Sequence, residues 1–383
     1  MNTLAEPAWL AGRREAARET YESLPVPSNR EEAWRFTNLR GFDPEVFEPA
    51  DAVPELSGDV PAGVTFTTLG RAVGEHADLL ERLLGSVVPD SEKFAAGNAA
   101  RWRDGVLLHV PAGVHVESPL RAVLDAPNDA GVYHRVLIVL ERNARATFLE
   151  EFRSAAAAYL NIVVELIVGD GARLEYVTVQ EHHSDTRQFG THRATVGRDA
   201  ELDWVAAAVG GARAKSRMES YLAAPGAHVK VTGAYYLTGA EHVDYDTTQE
   251  HAAPNTTSDL AFKGVLDDRA RAVWRGVIRV DKGAQKTDAY QENRNLLLST
   301  DAQATPIPGL EIEANDVRCT HGATVGQVDQ NQIFYLMARG LTRAQAERLI
   351  VRGFFEDVLD RIGSEPVREQ VAAAIDARLP GAE

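Results

Sequence analysis

Six short runs in the middle of the chain share one grammar: a turn of small or polar residues, an alanine, then an alternating strand. Asn143-Ala144-Arg145-Ala146-Thr147-Phe148, Gly171-Ala172-Arg173-Leu174-Glu175-Tyr176 and Asp199-Ala200-Glu201-Leu202-Asp203-Trp204 set the pattern. Gly226-Ala227-His228-Val229-Lys230-Val231, Gly239-Ala240-Glu241-His242-Val243 and Gly283-Ala284-Gln285-Lys286-Thr287 continue it. The steps from Ala144 through Ala172 and Ala200 to Ala227 are 28, 28 and 27 residues. Ala240, Ala270 and Ala284 fall near whole or half steps of the same period. A period in this range means units that bury apolar side chains only by stacking on their neighbours. Because the units are strands, the solution is a parallel β-helix or similar solenoid, with an irregular antiparallel sandwich as the competing arrangement. Alternation places Leu174, Tyr176, Leu202, Trp204, Val229 and Val231 on one face, expected inside.

The flanks read differently. Residues 1–94 are expected to be mostly helical, 95–328 to form the β core and 329–383 to be helical again. Glu15, Arg18, Glu19 and Glu22 sit at helical spacing before Pro25 and Pro27, and helix is expected to about residue 50. Ser28 with Glu31, Asp329 with Gln332, and Thr342 with Gln345 fit capping boxes. His76 to Leu84 reads as a helix, and Ser364-Glu365-Pro366 opens a last one. Ala346, Leu349, Ile350, Gly353, Phe354 and Val358 recur at helical spacing as an apolar stripe, fit to cap the solenoid end or to dock a partner.

Charge and motifs exclude several functions. A net charge of −16 argues against general nucleic-acid binding and against docking on anionic membrane. The longest apolar run, Ala155 to Val168, is interrupted by Asn161 and Glu165 and is too short to span a bilayer. Met1 to Glu6 lacks a basic stretch followed by an apolar one, and the single cysteine precludes an internal disulfide. Cytoplasm is the expected compartment. The sequence carries no phosphate-binding G-x-x-x-x-G-K-[ST], no dinucleotide G-x-G-x-x-G after a strand, and no H-E-x-x-H.

That cysteine, Cys319, stands two residues before His321. In a strand both point to one face, about 6.5–7 Å apart. Thiolate and imidazole suit zinc or iron, but two ligands do not complete a site, so others would come from elsewhere, including another chain. The plainer reading is a small buried thiol beside a hydrogen-bonded histidine. Glu311 and Glu313 share parity with the pair, and Asp316 lies close in sequence; they fit either an iron-attracting rim or a solvated edge. His182, His183, His192, His242 and His251 are expected to be solvated or hydrogen-bonded; stacking of His192, His242 or His251 on neighbouring coils is the metal-binding alternative.

The run Pro308 to Gly326, followed by Gln332 to Leu341 and Ala346 to Phe354, is similar to the carboxy-terminal signature of the SufB/SufD family of iron–sulfur cluster assembly proteins. Glu31 to Leu39, Glu-Glu-Ala-Trp-Arg-Phe-Thr-Asn-Leu, resembles an amino-terminal motif of the SufD branch, as do the modest length and the single cysteine. The resemblance implies a right-handed parallel β-helix and a non-enzymatic subunit. It implies pairing with SufB through the last strands of the solenoid and docking of the SufC ATPase on the carboxy-terminal helices. It also implies that His321, with Cys319 beside it, stands at the interface where a nascent cluster is built. No tightly bound cofactor is expected; iron or a transient cluster would sit at that interface, and flavin is associated with the complex. Two other readings stay open: a SufB-like scaffold acting as a homodimer, and a polysaccharide-active β-helix enzyme.

Overall fold

The computed structural model describes residues 6–379. Met1 to Ala5, on which the leader reading partly rests, lie outside the described residues. Three short strands come first: β1 (Glu48–Pro49), β2 (Glu55–Ser57) and β3 (Thr65–Thr68). Sixteen more follow: β4 (Asp104–Val110), β5 (Leu120–Ala126), β6 (Ala130–Leu140), β7 (Arg145–Ser154), β8 (Tyr159–Val168), β9 (Arg173–His182), β10 (Arg187–Val196), β11 (Glu201–Gly210), β12 (Arg213–Leu222), β13 (His228–Leu237), β14 (His242–His251), β15 (Thr257–Leu266), β16 (Arg271–Val280), β17 (Asp288–Leu297), β18 (Gln303–Ile312) and β19 (Arg318–Gln327). From β4 onward, even strands stack in parallel in one sheet and odd strands in the other. Each coil contributes one strand to each sheet, giving a flattened parallel solenoid of about eight coils.

The repeat has a local cause. Asn143, Gly171, Asp199 and Gly226 all take positive φ at the same corner of successive coils. Glycine, asparagine and aspartate are the residues that enter this region at least cost. Ala144, Ala172, Ala200 and Ala227 follow them, fully buried where the corner turns inward. Of the later alanines, Ala240 is exposed and Ala270 precedes a strand of the opposite sheet. The corner position in the next two coils is held by Thr256 and Thr287, after Asn255 and Lys286 at positive φ. Their hydroxyls donate to the carbonyls of Ala253 and Ala284 at 3.1 and 2.9 Å, which lets threonine replace alanine in a buried corner.

Leu174, Tyr176, Leu202, Trp204, Val229 and Val231 are all buried in the lumen between the sheets, as alternation requires. In-register pairing turns such positions into ladders, for example Phe148, Tyr176, Trp204, Val231 and Leu260.

Helices lie on the outer faces. α1 (Ala8–Ser23), α2 (Leu69–Glu75), α3 (Ala77–Leu83) and α4 (Lys93–Arg101) belong to the amino-terminal region. Helix does not run to residue 50: after α1 only two 3₁₀ turns form, Glu32–Trp34 and Pro44–Val46. The Ser28–Glu31 pair does close, with Ser28 N donating to Glu31 Oε1 at 2.8 Å, but onto one of these turns. This segment lies across the outer face of the even sheet. Trp34 packs on Phe94 and Phe189, and the Thr37 hydroxyl donates to Asp244 Oδ2 at 2.5 Å.

α5 (Gln330–Met337), α6 (Arg343–Leu359) and α7 (Glu365–Arg378) follow β19, and Thr342 with Gln345 forms the full capping box. The apolar face of α6 centres on Val351, Phe355 and Val358, while Leu349 is exposed. This face packs with α7 on the outer side of the odd sheet, against Val177, Val205, Ala207 and Val265. The helices therefore cover a flank of the solenoid and leave its end open.

Candidate functional site

The two sheets end in β18 and β19, and no described strand pairs with their outer edges. The interior ladder continues from Leu260 to Gln291 in β17 and then to His321 in β19. One step along, Ser258, Ala289 and Cys319 form the neighbouring ladder. Cys319 and His321 thus share the inward face, as alternation predicts. Because no coil stacks on the last one, that inward face is open to solvent.

Cys319 is half-buried against the cluster of Ile278, Val280, Ala289 and Ala314. Burial, then the negative charge of Asp288, pushes its thiol up from its ordinary value, so it is a protonated thiol at neutral pH. His321 is exposed above Gln291. Across the lumen the inward positions of β18 are Pro306, Pro308, Leu310 and Ile312, each stacked on an inward residue of β16.

The free edges differ. In β18 the N–H of Gln303 bonds back to Ala270 and that of Glu313 just beyond the strand to Val280, so odd residues face the previous coil and even residues face outward. Pro306 and Pro308 therefore remove two outward donors and blunt the first half of this edge. In β19 the N–H of Arg318 bonds back to Thr287 and that of Val328 to Leu297, so Cys319, His321, Ala323, Val325 and Gln327 present theirs outward. This edge is complete. The prolines are themselves an edge-strand signal in the sequence, since two prolines cannot sit in a central strand.

The acidic residues do not share the site. A corner between Ile312 and Arg318 breaks the parity on which their placement rested. Glu311 faces outward on β18 and pairs with Arg279 at 2.8 Å, and Asp316 pairs with Lys286. The other histidines are dispersed. His182 and His251 lie in the lumen, hydrogen-bonded to Gln188 at 2.7 Å and to Thr256 and Ser258 at 2.8 and 2.9 Å. His192 is also in the lumen, and His242 lies beneath Thr37 on the outer face. Burial holds all four near pKa 4, and hence neutral. Among the described residues no three His, Cys, Asp or Glu side chains gather into a metal-holding group. Cys319 and His321 can thus offer two soft ligands, and any cluster they touch needs more from outside the chain.

A second exposed surface lies on the carboxy-terminal helices. Phe334, Tyr335 and Met337 of α5 and Leu349 of α6 project into solvent. A groove of about 480 Å³ runs between α6 and α7, lined by Leu349, Phe355, Leu359 and Ile375 with Arg352 and Asp376 at its rim. None of the helices of the described residues is long and apolar enough to cross a membrane.

The described chain is thus a parallel solenoid whose last coil is open, with a thiol and an imidazole on the inward face of its terminal strand. Residues 122–354 match the family of the SUF system FeS cluster assembly SufBD core domain, and residues 47–122 match the SufBD protein N-terminal region. The chain belongs to the SufBD family of iron–sulfur cluster assembly proteins. It is 30% identical to the iron–sulfur cluster assembly protein SufD of Bacillus subtilis (strain 168), over 98% of this chain and 95% of that one. It is 29% identical to a SufBD family protein of Mycobacterium tuberculosis, over 94% and 90% of the two chains. Against SufB of Bacillus subtilis the figures are 26% identity, 89% and 74%. The chain is a SufD homologue.

Proposed function

We propose that this chain is a non-enzymatic assembly subunit that pairs end to end with a SufB-type chain and docks a SufC-type ATPase on its carboxy-terminal helices. The observation that carries the reading is the open last coil, where Cys319 and His321 end the interior ladders beside a strand edge with all its donors free. A partner strand adding to β19 would satisfy the exposed main chain and cover Leu310, Ile312 and Val325. Iron and sulfide are cargo here. The partner would supply further thiolates, and this chain His321 and, secondarily, Cys319. A neutral imidazole can ligate iron or take the proton released as a thiol becomes a ligand. Cys319, held protonated by burial, must lose its proton to ligate, which favours His321 as the principal group. Nucleotide-driven closure of the ATPase on α5–α7 would then shift the paired ends and expose the site.

Self-association is the second reading. The free edge of β19 is suited to two-fold pairing with a second copy, which would bring two Cys and two His together. Co-expression with SufB-type and SufC-type chains, followed by light-scattering mass, tests the proposal. One copy of this chain in a defined complex is expected. A chain that ignores both partners would overturn it. In an intact complex, His321→Ala is expected to abolish cluster build-up on anaerobic reconstitution; unchanged iron and sulfide content would remove His321 from the mechanism.

A further inference from the structure

Gln291 is fully buried beneath His321, its register partner. Its side chain crosses the lumen instead of packing within its own sheet. Nε2 donates to the carbonyl of Gly276 in β16 at 3.1 Å and to that of Gly309 in β18 at 3.0 Å. Both amide protons are spent on main-chain oxygens of the opposite sheet, one on each of its last two strands. The amide cannot be turned round, because Oε1 would then face two carbonyls. Oε1 itself is buried without a protein partner, so the two donor bonds fix the side chain. Gly276 makes the room: a Cβ there would lie 2.5 Å from Gln291 Oε1 and 2.2 Å from the Trp274 ring.

Along most of the lumen stacked apolar ladders lie above and below each coil, supplemented by a few polar ties between the sheets such as His182–Gln188. The last coil has a neighbour on one side only, so its two strands need another tie. We propose that Gln291 is a positioning residue for the cluster-building end: a strut from β17 that holds β18 at a fixed span from the strand on which β19 stacks, and so sets where His321 stands relative to the inward residues of β18. This rests on the assembly reading for its purpose, but the strut itself is a property of the isolated chain.

Two isolated-chain variants separate hydrogen bonding from bulk. Gln291→Met keeps the length and removes both donors. Gln291→Glu keeps the shape and, when ionised, removes both donors, while its protonated form returns one. Amide hydrogen exchange in the full chain reads the span: Ile307 and Gly309, whose N–H groups bond back to β16, are expected to lose about tenfold or more in protection in the Met variant, with strands before β16 unchanged. In the Glu variant protection, corrected for intrinsic exchange, should fall as pH rises through the carboxyl pKa, whereas the Met variant should be flat. The ring resonances of His321 should move in both variants and those of His109, half-buried at the far end of the solenoid beside Glu141, in neither. A variant that fails to fold leaves a wild-type measurement: the Gln291 side-chain amide protons should exchange far more slowly than those of an exposed glutamine. Fast exchange of that amide, or unchanged β18 protection and His321 resonances in a folded variant, would overturn the proposal. If the strut holds but no partner binds, the assembly reading fails alone.

Discussion

The two ends of the solenoid are built from the same coil and finished in opposite ways. At the first end, β3 pairs antiparallel with β4 and β2 with β5, so neither sheet begins with a bare edge. Phe66 of β3 turns into the lumen and packs on Phe148, closing it. Lumen residues there, such as Leu108 and Leu120, are 0% exposed. At the last end, the corresponding residues Leu310, Ile312 and Val325 are 36%, 40% and 43% exposed, and the helices that follow fold back along a flank. A chain that caps one end and leaves the other uncovered carries an exposed edge that is an aggregation liability unless something covers it, and in the proposed function that edge is reserved for pairing.

The largest expected effect lies inside the closed lumen and its covered face. His182, His192, His242 and His251 titrate near pH 4 when folded, against about 6.5 in the unfolded chain. A lowered imidazole pKa adds stability that is fully present above the unfolded value and drains away as pH falls toward 4. Thermal midpoints should therefore drop steeply between about pH 6.5 and 4. A flat profile there would break the claim that these imidazoles are locked in neutral form.

Next come paired truncations. Leu108→Ala at the closed end should cost about 2–5 kcal/mol, since it leaves a cavity. Leu310→Ala at the open end should cost less, about 1–2 kcal/mol in the isolated chain, because Leu310 is already 36% exposed and leaves no enclosed cavity. Denaturant midpoints check both, and equal losses would mean that the last coil is covered after all. Within the last strand, Thr324→Pro removes a donor that bonds back to β17, leaves its acceptor unpaired and should destabilise by about 1–3 kcal/mol. The smallest effect concerns Cys319. Its alkylation should be slow at neutral pH and still rising above pH 9, and Asp288→Asn should speed it modestly by removing a repelling charge.

Much of this architecture can be read directly from sequence. The 28-residue step and the strand alternation predict the coil, the inward facing of Tyr176 and Trp204, and the shared face of Cys319 and His321, because all are local consequences of corner and pleat. Thr256 and Thr287 escape an alanine-based reading because a hydroxyl that bonds its own corner does the same work. Of the two readings of Glu311, the solvated edge fits its exposed position, because parity with Cys319 is lost where the chain turns a corner. The flank position of α6 depends on which outer sheet face is apolar, a long-range property of Val177, Val205 and Val265 that no local pattern announces. Gln291 looks like an ordinary polar residue between Tyr290 and Glu292 until the register places it under His321.

The central claim, that the open end is a pairing surface, is tested most directly by Ala323→Pro. Its N–H points away from β17, so the isolated chain should keep its thermal midpoint within about a degree, as a surface change does. The same substitution puts a proline in the middle of the free edge and should weaken association with a SufB-type chain at least about tenfold, read by light-scattering mass across a dilution series. A stable monomer with lost pairing is the predicted result. A variant that pairs as tightly as the parent would contradict the account and move the interface away from β19.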